Sequence, residues 1–405
     1  MLTIKTIFIA LIAANLGFCC PQSTYSIEDG LEIARINNAR RATRNIPEPK
    51  KIAITNVRVF DGEKLLPLGT VFIDGDKIVA HAEGAEVVDG NGGTLLPGLI
   101  DAHTHPASVD DLEALATNGV TSTMVMMCRP PAVCESLLNH TGLTDVRFCG
   151  LGATSPNSSL AMQFSVSENQ TISSPSQAPQ FVAEQLAIGA TFIKIAEDVL
   201  TSPTRLDQPT LNALVDAAHA KNVPVACHAA DYAAFDAALA SHADQIQHAP
   251  QDFPLDSPLI ARFIAQKTVS VPTLLIFQEY IARGAAPASA YGVANTSVTR
   301  LYHAGVPILA GTDSTPVNAV PFGVGLHNEL ENLVGAGMST VDVLRSATVL
   351  AAQHNLLWDR GVIAPGMRAD VVLISGDPIA NISATRNIQK VWITGMEYKG
   401  VTTSS

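Results

Sequence analysis

Two kinds of periodicity divide the chain. Ile52–Phe60 alternates apolar and polar positions and runs into the turn pair Asp61-Gly62. Val71–Ile73 and Lys77–Ala80 flank Asp74-Gly75, the signature of a hairpin. Near the other end, Ala369–Ser375 and Lys390–Thr394 have the same extended texture. Strands at both ends predict one small β-sandwich, assembled from residues 51–97 and 362–400, that clasps the middle of the chain.

The middle, residues 98–361, has a different rhythm. Short apolar runs occur at Gly98–His103, Ser122–Met127, Val146–Leu151, Thr191–Ile195, Val223–His228, Gln245–His248, Thr268–Pro272 and Val306–Gly311. Most are followed by a helical pattern, such as Asp207–Lys221 or Tyr232–Ser241. Eight strands alternating with helices predict an α/β fold, a (β/α)8 TIM barrel. A doubly wound open sheet is the alternative, but no Gly-rich dinucleotide fingerprint follows the first strand. The Ser-rich connection Ala153–Gln177 would rise on the catalytic face after strand three, where a lid belongs, and Pro287–Ser297 reads as a second irregular stretch after strand seven.

The amino terminus stands apart. Lys5 precedes the apolar run Ile7–Leu16, too short to span a bilayer, so residues 1–20 read as a secretory signal peptide, with a membrane anchor or buried strand as the alternative. Residues 21–50 form a polar leader with a short helix at Ile27–Arg41. No later run is long and apolar enough to cross a membrane, so an extracellular protein free of the membrane is expected.

Composition narrows the partners. With 47% hydrophobic and 15% charged residues among 405, the chain can build a large core and is not disordered. It carries a net charge of −12 and no basic run with interleaved aromatics, which excludes nucleic acid as a partner; acidity alone identifies no substrate. Of six cysteines, Cys19 and Cys20 fall in the signal, leaving Cys128, Cys134, Cys149 and Cys227. Cys128 and Cys134 are the most local pair for a disulfide, and their spacing fits no zinc knuckle. Cys149 and Cys227 read equally well as buried thiols in apolar strands. Asn-x-Ser/Thr sequons at Asn139, Asn157, Asn169, Asn295 and Asn381 favour a glycoprotein on a eukaryotic secretory route.

The chemistry lies at the strand ends. His103 and His105 end strand one, Lys194 strand four, His228 strand five, His248 strand six and Asp313 strand eight. In a barrel those ends converge on one mouth. A His-x-His pair on an extended strand presents both imidazoles on one face, and imidazole nitrogen and carboxylate oxygen are ordinary zinc ligands. Lys194 is the oddity, between Ile193 and Ile195. A desolvated lysine loses its proton readily and becomes nucleophilic, whereas a salt bridge to Glu197 or Asp198 is the structural alternative. His81, His140, His219, His242, His303 and His354 read as structural.

The run Pro97-Gly98-Leu99-Ile100-Asp101-Ala102-His103-Thr104-His105, followed by Lys194, His228, His248 and Asp313, resembles the amidohydrolase superfamily, most of all its imidazolonepropionase-like branch of secreted dipeptidases and amidases. The tail Gly361–Val372 is similar to the segment that closes the sandwich there. The resemblance spans Ile52 to Lys399. It implies two zinc ions, with manganese or cobalt as acceptable substitutes. His103, His105 and Asp313 would hold one, His228 and His248 the other, and a carboxylated Lys194 would bridge them together with a hydroxide. It implies a homo-oligomer as well. Gln247 stands where relatives often have Glu and is expected not to touch a ligand.

Asp313 would take the proton of the attacking water and return it to a leaving amine. The expected reaction is hydrolysis of an amide in a small, carboxylate-bearing substrate such as an N-acyl amino acid or dipeptide. The same site admits an esterase or lactonase, or a deaminase or decarboxylase. A barrel that lost catalysis and kept binding is disfavoured by the complete ligand set. Three further residues are weaker candidates for substrate contact: Tyr232 just past His228, His327 past strand eight, and Arg129 after strand two, suited to a substrate carboxylate.

Overall fold

The computed structural model describes residues 26–44, 46, 48–198, 202–316 and 319–400, so the signal segment at 1–20 lies outside the described residues. The leader contributes an ordered helix, Ile27–Thr43, started by a Ser26–Asp29 capping box. The helix lies against the rest of the chain: the Asn37 amide donates to Ala107 O at 2.9 Å and Arg41 to Leu138 O at 2.7 Å.

The two ends of the chain meet in one sheet. Lys51–Val59 pairs antiparallel with Gly69–Asp74, which turns into Lys77–Val79, and parallel with Glu86–Asp89 and Thr94–Pro97. The turn residue Gly75 sits at φ +62°, as a two-residue hairpin demands. Thr94–Pro97 then pairs antiparallel with Val371–Ile374, and Ile388–Ile393 and Met396–Tyr398 follow. Alternate residues of both ends, including Ile54, Ile73, Leu95, Val371 and Trp392, share one apolar core.

The middle forms parallel strands in chain order. Leu99–Thr104, Val120–Val125 and Asp145–Phe148 make one ladder. Gly152–Ala153, Ile193–Ala196, Val225–His228, Gln245–Gln247 and Val269–Val271 make the next. Most are buried along their whole length, as parallel strands covered by helices must be. The expected third strand is split at Gly150, which adopts φ +74° and where a Cβ would collide with Gln185.

The expected eighth strand, Val306–Gly311, is not regular. Pro307 lacks the N–H that a ladder needs. Single bonds replace the ladder: Ser270 N donates to Pro307 O, Leu309 N to Ser270 O, Ala102 N to Ala310 O and Asp313 N to His103 O. They join the end of the second ladder to the start of the first. The result is a TIM-barrel-like α/β fold with a β-sandwich beside it. Met124, Met126, Cys149, Phe192 and Ala226 form an apolar cluster contributed by several of its strands.

Helices follow the strands, and short polar side chains start them. Ser108, Asp207, Asp231 and Asp256 cap Val109–Thr117, Gln208–His219, Tyr232–Ala240 and Ser257–Gln266. Pro287–Ser297 is not the irregular stretch expected, because Ser289–His303 is helical. Its buried face, Ala290, Ala294, Ser297, Val298 and Leu301, has helical spacing but small side chains, so hydropathy contrast is weak. Ala153–Gln177 holds a short helix, Ser159–Gln163, and two 3-10 turns. Its Leu160 and Phe164 pack on Met127 and Ala196, two residues at strand ends.

Candidate metal centre

His103, His105, Lys194, His228, His248 and Asp313 are all buried. The Nε2 atoms of His103 and His105 lie 3.3 and 3.1 Å from the same Asp313 Oδ1. The His103 ring lies 4.8 Å from that of His248, which lies 4.5 Å from that of His228. One ligand atom each of His103, His248 and Asp313 falls within 4.8 Å of the others. Ligands held about 2.0–2.2 Å from a tetrahedral zinc stand about 3.3–3.5 Å apart, so the spacing around Asp313 Oδ1 fits a metal.

The far sides of the rings support the same reading. His103 Nδ1 is 2.8 Å from Gln247 Oε1, and His248 Nδ1 is 2.8 Å from Thr273 Oγ1. Bonds at Nδ1 fix the ring and leave Nε2 for a metal. Gln247 therefore does touch a candidate ligand, contrary to expectation. It lies on the inward face with Gln245, whose amide binds His354 O and Asn355 Oδ1 at 3.0 Å each. Asp101, one strand repeat before His103, accepts from Thr312 Oγ1 at 2.8 Å and from Thr312 N at 3.1 Å. That carboxyl ties strand one to the segment carrying Asp313. Gly311 is required there, since a Cβ would come within 2.9 Å of His103 Cβ.

Three residues of this network hold the left-handed conformation: His248 at φ 71°, Thr273 at 47° and Asp313 at 57°. Such strain in non-glycine residues concentrates at functional sites. The sequence signals none of these contacts except by proximity to the motif, because each joins distant strands.

Electrostatics suit cation binding. Burial, then the nearby Lys194 charge, hold the His103 ring at about 4. Burial likewise holds His228 and His248 well below the ordinary range, so all three rings are neutral at pH 7. Burial alone would raise Asp313, but the neighbouring His103 and His105 side chains outweigh it and hold the carboxyl below the usual range. Lys194 lies on a buried strand with Gly152 beside its side chain, where a Cβ would meet Lys194 Cγ at 3.5 Å. Of its two candidate salt-bridge partners, Glu197 binds the Arg205 guanidinium, at 2.9 Å from Nε, and Asp198 accepts from Leu160 N at 2.8 Å.

The weaker candidates separate. Arg129 lines a narrow pocket with His105, Pro106, Met127 and Phe164 beside the donor set, and its guanidinium donates to Phe164 O at 3.1 Å. The Cys128–Cys134 disulfide forms another wall of that pocket. Tyr232 begins its helix, and its peptide N–H donates to Asp252 Oδ1 at 2.9 Å.

His327 is occupied elsewhere: Nδ1 is 2.9 Å from Thr385 Oγ1 and Nε2 is 3.1 Å from Asn118 O. Burial, then Arg386, lowers it to about 4 from an ordinary 6.5. Its contribution to stability is complete above pH 6.5 and is lost as pH falls toward 4, because the unfolded chain takes a proton that the folded one refuses. His327→Gln is expected to flatten the acid limb of stability by roughly 3 kcal/mol at most between pH 7 and 4, read by urea unfolding. Identical limbs in the two proteins would assign the acid sensitivity to other groups.

The fold has close counterparts. A Xaa-Pro dipeptidase structure superposes with a TM-score of 0.76 at 21% identity, covering 86% of this chain and 100% of that one. The ochratoxinase of A. niger gives 0.74 at 17% identity, covering 88% and 97%. An uncharacterized protein of Mycobacterium bovis is 27% identical over 337 residues, 76% of this chain and 85% of its own length. Residues 94–398 match the amidohydrolase family, and the chain belongs to that family.

Proposed function

We propose that this hydrolase of carbon–nitrogen bonds is a binuclear zinc amidase on a (β/α)8 barrel, cleaving a small, carboxylate-bearing substrate such as an N-acyl amino acid or a dipeptide. The observation that carries the reading is the convergence of His103, His105 and Asp313 on one point, with the His248 ring tilted against that of His103 and edge-on to that of His228. In this reading His103, His105 and Asp313 would hold one ion and His228 and His248 the other, with a carboxylated Lys194 as a ligand they would share.

A bound metal pair supplies a water acidified toward hydroxide at neutral pH and a polarised carbonyl. The chain supplies the rest. Asp313, whose Oδ1 lies 3.3 and 3.1 Å from the Nε2 atoms of His103 and His105, accepts the proton of the attacking water. It then donates that proton to the departing nitrogen, without which an amine leaves poorly. Phe164 stacks on the His105 ring at 6.4 Å between centroids and covers that side of the site from the lid segment. Arg129, in the pocket beside His105, pairs with the substrate carboxylate.

Secretion belongs to the same proposal. It is supported by the Cys128–Cys134 disulfide and by the exposure of Asn139, Asn157, Asn169 and Asn381. No helix among the described residues is long and apolar enough to cross a membrane. We expect a homo-oligomer in solution.

The test is a panel of N-acyl amino acids, dipeptides, esters and lactones on zinc-loaded protein, with chelator controls and amine and acid release followed together. Chelator-sensitive amine release is expected, with the carboxylate-free amides about 100-fold poorer and that preference lost in Arg129→Gln. Acid without amine would replace the amidase by an esterase or lactonase. Ammonia or carbon dioxide as the only product would replace hydrolysis of an acyl bond by deamination or decarboxylation.

A further inference from the structure

We infer that Glu329 is a positioning residue for His248, acting through Thr273. The inference rests on the reading of His248 as a metal ligand.

Glu329 is fully buried on the helix Val324–Gly335. It reaches across to another element: Leu274 N donates to its Oε1 at 2.8 Å and Leu275 N to its Oε2 at 2.7 Å. These are the first two peptide groups of the helix Leu274–Ala282, which would otherwise be orphan donors. Thr273 is the N-cap of that helix, and a threonine there ordinarily turns its own hydroxyl back onto the second or third peptide N–H. Here it makes no such bond.

The borrowed carboxyl group explains why. Because Glu329 satisfies the helix end, the Thr273 hydroxyl is released from capping and lies 2.8 Å from His248 Nδ1. The geometry is unusual on both sides of that bond. Thr273 is β-branched yet sits at φ 47° and ψ 48°, which such residues rarely adopt, and His248 sits at φ 71°. The His248 peptide N–H is pinned as well, donating to Val271 O at 2.8 Å. A bidentate grip on the two residues after Thr273 holds this backbone in place, so the hydroxyl meets the imidazole at one angle. His248 then presents Nε2 toward His103 and His228 rather than rotating away.

The test uses the full chain loaded with Co2+, whose visible spectrum reports ligand geometry. Glu329→Ala and Thr273→Val should each weaken binding of one of the two metal ions by about 10- to 100-fold and alter the cobalt bands. Glu329→Gln, which keeps one acceptor, should recover part of both. The double variant should bind that ion no more weakly than the worse single, because both changes break one chain of contacts. If Glu329→Ala does not fold, Glu329→Gln and Thr273→Val answer the question alone. Variants that are merely less stable, with wild-type cobalt spectra and affinities, would overturn the inference. A wild-type protein saturating at one ion would instead overturn the two-metal reading, and one binding none would overturn both.

Discussion

Lys194→Met is expected to fold normally, to lose its metal pair and to turn over substrate at below about a thousandth of the wild-type rate. Lys194 is buried on the strand Ile193–Ala196, and its charge depresses His103 and His228. Methionine matches the length of its stem and packs where the stem packs, so the shape of the site survives. Metal analysis of Lys194→Met should therefore find fewer than two ions. Lys194→Ala should show the same loss with a lower melting temperature from the cavity it leaves. Two bound ions and normal turnover in either variant would end the proposal that a carboxylated lysine bridges them.

Much of this was legible in the chain itself. His103 and His105 share a face because a strand repeats every two residues, and the ends of parallel strands meet at one mouth whatever the loops do. The hairpin around Gly75 and the caps at Asp207 and Asp231 are local, and local signals survive in a sequence. What was hidden depends on register between distant strands. Gln247 lies 144 residues from His103, and Glu329 lies 55 from Leu274, so no spacing rule brings either pair together. The helix Ser289–His303 was hidden for another reason, since it buries alanine and serine and lacks the contrast that periodicity needs. His327 could by its place either reach the mouth or sit on a helix face, and only resemblance favoured the mouth; Thr385 and Asn118 take both its nitrogens.

Asp313→Asn should separate binding from proton transfer. Asparagine tolerates the left-handed conformation that Asp313 holds at φ 57°, and its backbone N–H still donates to His103 O at 2.8 Å, so the turn is kept. The amide oxygen keeps one donor atom for a metal but accepts no proton. Metal content should fall by no more than one ion, and kcat on an amide should drop by about 10²- to 10⁴-fold. The loss should depend on the leaving group. An amine must be protonated to depart, whereas an aryl ester releases a phenolate that needs no proton. If Asp313 serves as both base and acid, the aryl ester suffers only the first loss and the amide suffers both. Equal losses on the two substrates would confine Asp313 to accepting the proton of water. A near wild-type rate on the amide would remove it from proton transfer altogether and leave it a ligand alone.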